Sequence, residues 1–502
     1  MIPQDKIRRF FVVAVVLAAA VRGYLFWQYY CISSDGVVYI KAAENFYAKS
    51  VAAGLASVYP PGYPLLVAAI YPLVGNWEWA GQILSLFFGV GLLFPLFWIF
   101  REVFDAPTAV VACYLAAMSP FLALYSVHVR TESTYLFFAS LVLFLVLSAI
   151  QKGLVGRMVL AGLVGGYAYL VRPEAIGFLF LVPLFLIIHW LLKRDTPVGC
   201  VLKFTAALCA GFLACALPYI VYLSIDTGRI GTISRKAGVT LGINLEESGY
   251  LAADDLKDGG IDFVDYVQKH PFRYLTKVVS DLPAATRVFF EAVHYSYVPF
   301  LLLGLVLIGR DRLRERKDLL LIGFVLLYVY GFALFYVKRR YALQAVPISL
   351  GWVALGLCWL WRILQNSLSR IKALGVGLAI GLALIIGTLP KTLKPVSREK
   401  AYVRDAGLYL KARSKTRRLK VAVFDDRVTF YAQAQTIFLD PRDPSSLLPI
   451  LYKQGADYLA AEAKVLDRVY PGVSTRPGNF GLALEQRFVG TRRDQMLIFK
   501  VL

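Results

Sequence analysis

In a few places this 502-residue chain sets acidic and basic side chains among apolar neighbours, and those residues have the types and spacing for chemistry. Asp35 lies in Ser33-Ser34-Asp35-Gly36-Val37-Val38-Tyr39. The helical spacing of Tyr39, Ala43 and Phe46 puts it at or near the start of an interfacial helix. There it either caps the helix or faces a cavity as a carboxylate able to take a proton. His128-Val129-Arg130-Thr131-Glu132 sets a histidine and a glutamate four residues apart, on one face of a continuous helix. This reads as an ordinary polar turn or as a fragment of a metal site, and two ligands are too few to make one. Arg172-Pro173-Glu174 is a lone cation beside a carboxylate, either an internal pair or a phosphate ligand. Lys338-Arg339-Arg340-Tyr341 is either a solvated cluster or an anion site, because guanidinium forks match phosphate oxygens two at a time.

The elements that must position these residues are membrane spans. Hydrophobic residues make up 58% of the chain, charged residues 17%, and the mean hydropathy is +0.61. That is more apolar surface than soluble cores can bury, so the excess faces lipid. Disorder and a disulfide scaffold are excluded by the same figures. The 6 cysteines form no CxxC, which predicts neither disulfides nor a cysteine metal site. The formal charge of +21 lies mostly between apolar runs, so it reports topology and anionic lipid, not nucleic acid. Eleven stretches read as spans: 10–30, 79–100, 107–127, 133–150, 156–171, 175–192, 204–224, 292–309, 319–337, 341–361 and 373–390. The first follows Lys6, Arg8 and Arg9 and has no small-residue cleavage site, so it reads as an uncleaved span. Basic residues concentrate in alternate loops, including Lys193, Arg194 and Lys203 and the run from Arg310 to Lys317, which predicts a cytoplasmic N-terminus and an outer C-terminus.

Two long outer loops then follow, 31–78 and 225–291, and the membrane part occupies 1–390. The tail, 391–502, changes composition. Strand-like runs at 419–424, 457–461 and 496–501 alternate with helical stretches such as 443–455, which predicts an extracytoplasmic α/β domain. Tyr59-Pro60-Pro61-Gly62-Tyr63-Pro64-Leu65-Leu66 reads as a rigid interface connector in which regular helix is forbidden. Short outer turns carry Asp35, Arg130, Glu132, Arg172, Glu174 and Arg340 at nearly one membrane level. Such a set suits a negatively charged lipid headgroup plus a base. A polyprenyl-phosphate sugar fits: the leaving phosphate recovers charge that cations stabilise, and a carboxylate takes the proton of the acceptor.

On Asp35-Gly36 with Tyr39 and Ala43, Pro60-Pro61-Gly62-Tyr63-Pro64, Thr131-Glu132, Gly162 through Arg172-Pro173-Glu174, and Arg340-Tyr341 followed by Pro347, the chain resembles the GT-C superfamily of lipid-linked-sugar glycosyltransferases. The similarity is to the protein O-mannosyltransferase-like and aminoarabinose-transferase-like branch, over roughly the first 350 residues. The resemblance implies a polytopic α-helical fold with an outer α/β domain. It implies a polyprenyl-phosphate-linked sugar donor, a lipid, glycan or protein acceptor, and a catalytic carboxylate in the first outer loop, here Asp35. Many relatives carry two adjacent acids there; Gly36 follows Asp35, so Glu132 is the candidate for the second. Arg172 and Arg340, with Lys338 and Arg339, are the candidates for the donor phosphate. Tyr39, Tyr59, Tyr63, Arg130, Glu174 and Tyr341 are candidates for the substrate cavity. Some relatives use a divalent metal; no ligand pattern assigns one here, and His128 is the nearest candidate.

The expected activity is therefore inverting sugar transfer on the extracytoplasmic face of a membrane, with a bacterial inner membrane the expected site. A transporter or flippase of a lipid-linked substrate is the competing class. It calls for midplane charges or broken helices on both sides, whereas Arg22 and the borderline Arg157 and Glu291 are the charges within or near the spans.

Overall fold

Apolar stretches of membrane length become helices because a helix satisfies its own backbone hydrogen bonds where water is absent. The computed structural model describes residues 3–193, 197–247, 263–308, 317–414, 417–440, 447–491 and 494–502. Part of the second outer loop (248–262), Arg194 and the basic run 310–316 lie outside the described residues. Seven helices are long and apolar enough to cross a membrane: Gln4–Trp27, Trp77–Val103, Glu132–Lys152, Pro173–Leu192, Val198–Thr227, Arg339–Ser367 and Arg370–Thr392. An eighth arises if Pro271–Val293 and Val298–Leu307, which meet at 107°, count as one span. Four shorter apolar helices, Gly62–Val74, Ala106–Met118, Val155–Val171 and Asp318–Leu334, complete this set among the described residues. The chain is thus an integral membrane protein of mostly helical fold carrying a small sheet.

Three stretches differ from expectation. The proline-rich connector begins a helix at Gly62. Pro61 sits at the cap and Pro64 in the first turn, where a backbone N–H has no intrahelical acceptor to lose. The stretch 107–127 breaks at Ser119 into Ala106–Met118 and Pro120–Tyr125, since Pro120 cannot extend the preceding turn. The stretch 292–309 shortens to Val298–Leu307, because His294, at φ 84, turns the chain out of the Pro271–Val293 helix.

Arg22 lies fully buried among apolar helices. Its guanidinium donates to the carbonyls of Ala18 (3.3 Å), Ala117 (3.2 Å) and Ala116 (3.4 Å), and to Ser126 Oγ (3.1 Å). Ala116 and Ala117 belong to the last turn of Ala106–Met118, so the cation rests on a helix C-terminus, where the dipole favours positive charge.

Two compact units emerge from the internal contacts: Met1–Tyr24 with Ala42–Leu393, and Leu25–Lys41 with Lys394–Leu502. In the second, five strands run in the order β2-β1-β3-β5-β4. They are β1 Lys420–Val423, β2 Gln435–Phe438, β3 Tyr458–Glu462, β4 Leu482–Val489 and β5 Gln495–Val501. β1 pairs parallel with β2 and β3, while β5 pairs antiparallel with β3 and β4. Leu439, Leu451, Leu459, Leu466, Leu497 and Phe499 form the core on this sheet. The expected strands are β1, β3 and β5, and the expected helical stretch appears as Leu447–Lys453.

In the helical unit, Val155–Val171 crosses Val198–Thr227 with almost no gap. A methyl added at Gly162 would stand 2.2 Å from the Leu208 carbonyl oxygen, and one at Gly211 would stand 2.2 Å from that of Val159. Backbone meets backbone there, as small residues allow between membrane helices. Gly211→Ala is therefore expected to destabilise the protein by about 1–3 kcal/mol, read as a lower thermal midpoint in detergent. Gly156→Ala, which meets open space, should leave the midpoint unchanged or raise it.

Candidate active site

Three helix ends, distant in sequence, deliver the charged side chains of the helical unit to one place. Glu132 opens the helix Glu132–Lys152, where the positive end of the helix dipole favours a carboxylate. Arg172 ends the helix Val155–Val171; Pro173 forces it into extended backbone (φ −149, ψ 129), which turns its side chain away from the helix. Arg340 lies in the single turn Arg339–Ala342 that leads into the helix Val346–Ser367.

Glu132 Oε1 is 3.3 Å from Arg172 Nη1 and 3.4 Å from Arg340 Nε. Arg172 also forks onto Glu174, Nη2 to Oε1 at 3.0 Å and Nε to Oε2 at 3.4 Å. The Tyr341 ring lies beside both guanidiniums, 5.7 Å from that of Arg172 and 5.3 Å from that of Arg340. Tyr135 lies 5.9 Å from Arg172 and bonds the hydroxyl of Tyr328, which donates to the Glu174 carbonyl at 3.2 Å. The side chains of Glu132 and Arg172 are 3% and 6% exposed, while Arg340 keeps 21%. Burial by itself would lower the Arg172 pKa; Glu174 and then Glu132 more than reverse that, so the guanidinium stays charged.

Other expected residues fall around this core. Arg130 lies 5.9 Å from the Tyr125 ring, and Arg339 stacks over Phe121 at 4.8 Å. Lys338 Nζ lies 4.0 Å over the Tyr336 ring. Tyr63 is fully buried and holds the Arg130 turn indirectly: its hydroxyl meets the Gly81 carbonyl (2.9 Å) and Ser85 Oγ (3.1 Å), and Ser85 donates to the Arg130 carbonyl (3.3 Å). Tyr59 is half-buried, its N–H donating to Ser57 Oγ at 3.3 Å. His128 is buried, which pushes its imidazole down to about 3, with Arg130 acting in the same direction and Glu132 opposing. Among the described residues no group of three His, Cys, Asp or Glu side chains stands ready for a metal ion.

Asp35 and Tyr39 belong to the other unit. Asp35 is half-buried in the first turn of the helix Ser34–Ala48, and Tyr39 is buried. The Gly36 N–H donates to Ser33 Oγ at 3.1 Å, so Ser33 fills the capping role that Asp35 was a candidate for. Sequence reasoning missed Tyr135 and Tyr328. Their one signal is a hydroxyl inside an otherwise apolar helix, which needs a partner when buried.

Replacing Arg172 with Met is expected to cost about 3–5 kcal/mol, because Glu132 and Glu174 lose the cation that holds them while Glu132 stays buried. Arg172→Lys should recover part of this, since an ammonium keeps the charge and loses the fork. Thermal unfolding in detergent checks both.

Residues 58–222 match the sequence model of the dolichyl-phosphate-mannose-protein mannosyltransferase family. No curated protein matches the chain. Among solved structures, the Archaeoglobus fulgidus oligosaccharyltransferase in its apo form aligns with a TM-score of 0.62 at 13% identity, over 91% of this chain and 69% of that one. ArnT from Cupriavidus metallidurans bound to undecaprenyl phosphate aligns at 0.59 and 14%, over 99% and 98%. The archaeal AglB, in complex with an inhibitory peptide and a dolichol-phosphate, aligns at 0.53 and 14%, over 91% and 69%. The resemblance carried by the motifs therefore extends to the architecture: residues 58–222 are similar to the dolichyl-phosphate-mannose-protein mannosyltransferase family, and the chain shares the fold of these solved structures.

Proposed function

We propose that this chain transfers a sugar from a polyprenyl-phosphate donor to an acceptor on the extracytoplasmic face of its membrane, with inversion at the anomeric carbon. The observation that carries the reading is the pair of guanidiniums, Arg172 and Arg340, held on the buried Glu132. Arg172 is enclosed, whereas Arg340 keeps a fifth of its side chain exposed and carries a fork that suits a phosphate. The fold shared with ArnT, solved with undecaprenyl phosphate, and with AglB, solved with dolichol-phosphate, supports a lipid-linked phosphate as that anion.

In this mechanism the acceptor's oxygen or nitrogen attacks the anomeric carbon from the face opposite the phosphate. The bond from that carbon to the phosphate oxygen breaks, and the phosphate leaves with the electron pair. Its returning charge is stabilised by Arg340, with Arg339 and Lys338 flanking it. The acceptor's proton passes to Asp35. Arg172 and Glu132 take a different part. Glu132 is committed to two guanidiniums, so it serves as the anchor that orients Arg340, and Arg172 as its buried counterion. The acceptor is a lipid, a glycan or a protein; the basic loops favour a cytoplasmic N-terminus, and the compact chain suits a bacterial inner membrane.

The test is transfer from a panel of undecaprenyl-phosphate-linked sugars by the purified chain in nanodiscs. Asp35→Asn is expected to lower kcat by about a hundredfold or more with donor KM little changed. Arg340→Ala is expected to raise donor KM roughly tenfold or more. Wild-type turnover in a folded Asp35→Asn protein would remove Asp35 from the mechanism. An unchanged donor KM in Arg340→Ala would leave the cation cluster without its ligand.

A further inference from the structure

The segment that carries Asp35 is built into the tail unit. Tyr30 N–H donates to the Val396 carbonyl at 3.0 Å, and Val396 N–H returns to the Gln28 carbonyl at 2.9 Å. Ile32 N–H donates to the Tyr431 hydroxyl oxygen at 2.7 Å, and Lys41 Nζ pairs with Asp426 at 3.0 Å. Cys31, Ile32, Val37 and Ile40 are fully buried. Both tail contacts come from one helix, Asp426–Ala432, which begins beyond the carboxyl end of β1. Asp425 caps that helix by accepting from the Arg427 N–H at 3.1 Å, and its carboxylate also takes the Arg427 Nε at 2.9 Å. Gly407 lets the helix Ala401–Arg413 close on it: a methyl there would stand 2.6 Å from Tyr431 Cβ. Tyr431 and Asp426 are thus held by the sheet and its helices, and they grip the Asp35 segment three residues before and six residues after Asp35.

We infer that the tail domain is the mount of the proposed base, with Tyr431 and the Lys41–Asp426 pair as positioning residues for Asp35. The inference rests on the reading of Asp35 as base. The Lys41 side chain is 46% exposed, and an ion pair that open contributes little to stability. Its consequence falls on geometry: a small displacement of a catalytic group costs rate far more than it costs folding.

Three variants are compared with Asp35→Asn in nanodiscs: Asp426→Lys, the swap Lys41→Asp with Asp426→Lys, and Tyr431→Phe. Asp426→Lys is expected to lower kcat about tenfold or more, with donor KM within twofold and the thermal midpoint unchanged. The swap should restore most of kcat, which a merely structural site would not do selectively. Tyr431→Phe should lower kcat in the same manner and speed amide hydrogen exchange over residues 30–41. Wild-type kcat in both Asp426→Lys and Tyr431→Phe, with Asp35→Asn inactive, overturns the mount and leaves Asp35 as base. An active Asp35→Asn overturns that reading, and this inference with it.

Discussion

Glu132 must be held charged where water does not reach it, and much of the helical unit follows from that constraint. Moving a carboxylate out of water costs several kcal/mol unless partners replace its hydration. Two guanidiniums from far-apart chain segments do so, Arg172 at 3.3 Å and Arg340 at 3.4 Å. The helix Glu132–Lys152, the end of Val155–Val171 and the turn before Val346–Ser367 must therefore meet. Arg172 would in turn be an expensive buried cation, and Glu174 takes its guanidinium fork at two points. The Tyr135–Tyr328 pair closes the remaining side by reaching the Glu174 carbonyl. Each charged group in this set is held by another of opposite sign, which fixes the geometry in a way apolar packing would not.

The burial gradient divides the labour among the cations. Arg172 is almost wholly enclosed and committed to two carboxylates, so it shapes the field without offering a face to a ligand. Arg340 shares Glu132 yet stays partly open, and Tyr341 lies beside both guanidiniums and limits where they can move. An anchored arginine loses little side-chain entropy when an anion arrives. In the proposed reaction it is also oriented before the charge on the leaving group develops, the condition under which electrostatic stabilisation lowers a barrier most. The neutral imidazole of His128 adds no further positive charge to this neighbourhood.

The sequence made these charges visible because they violate their surroundings: Glu132 heads an apolar helix, Arg172 follows a glycine-rich one, and Lys338-Arg339-Arg340 defies the orientation bias of the other loops. Their partners were less legible. Tyr135 and Tyr328 look like ordinary residues of apolar spans. Arg22 stood out as a charge inside a span, but its partners are mainly backbone carbonyls, which every residue owns. Hydropathy located helices well and their breaks poorly, since neither Ser119 nor His294 changes the average of a window. Prolines misled in the other direction at Gly62–Val74, where their position in the first turn mattered more than their number. In the tail, β1, β3 and β5 are apolar runs, whereas β2 and β4 are edge strands whose exposed positions weaken the apolar signal.

The tail domain raises a different physical question: what a soluble sheet gives to a segment that leaves a membrane helix. A short loop beyond Gln4–Trp27 has few apolar contacts of its own, and fixing each backbone residue costs about 1–2 kcal/mol. The tail unit offsets that cost by providing a backbone partner in Val396, a hydroxyl in Tyr431 and an ion-pair partner for Lys41 in Asp426. Ser33 then caps the helix Ser34–Ala48, so its first turn forms at one defined place. Order at Asp35 is in this way a property of residues some 400 positions away. A carboxylate meant to act at a fixed point on a substrate gains from such distant rigidity, because the energy that holds it is spent in folding and is not drawn from substrate binding.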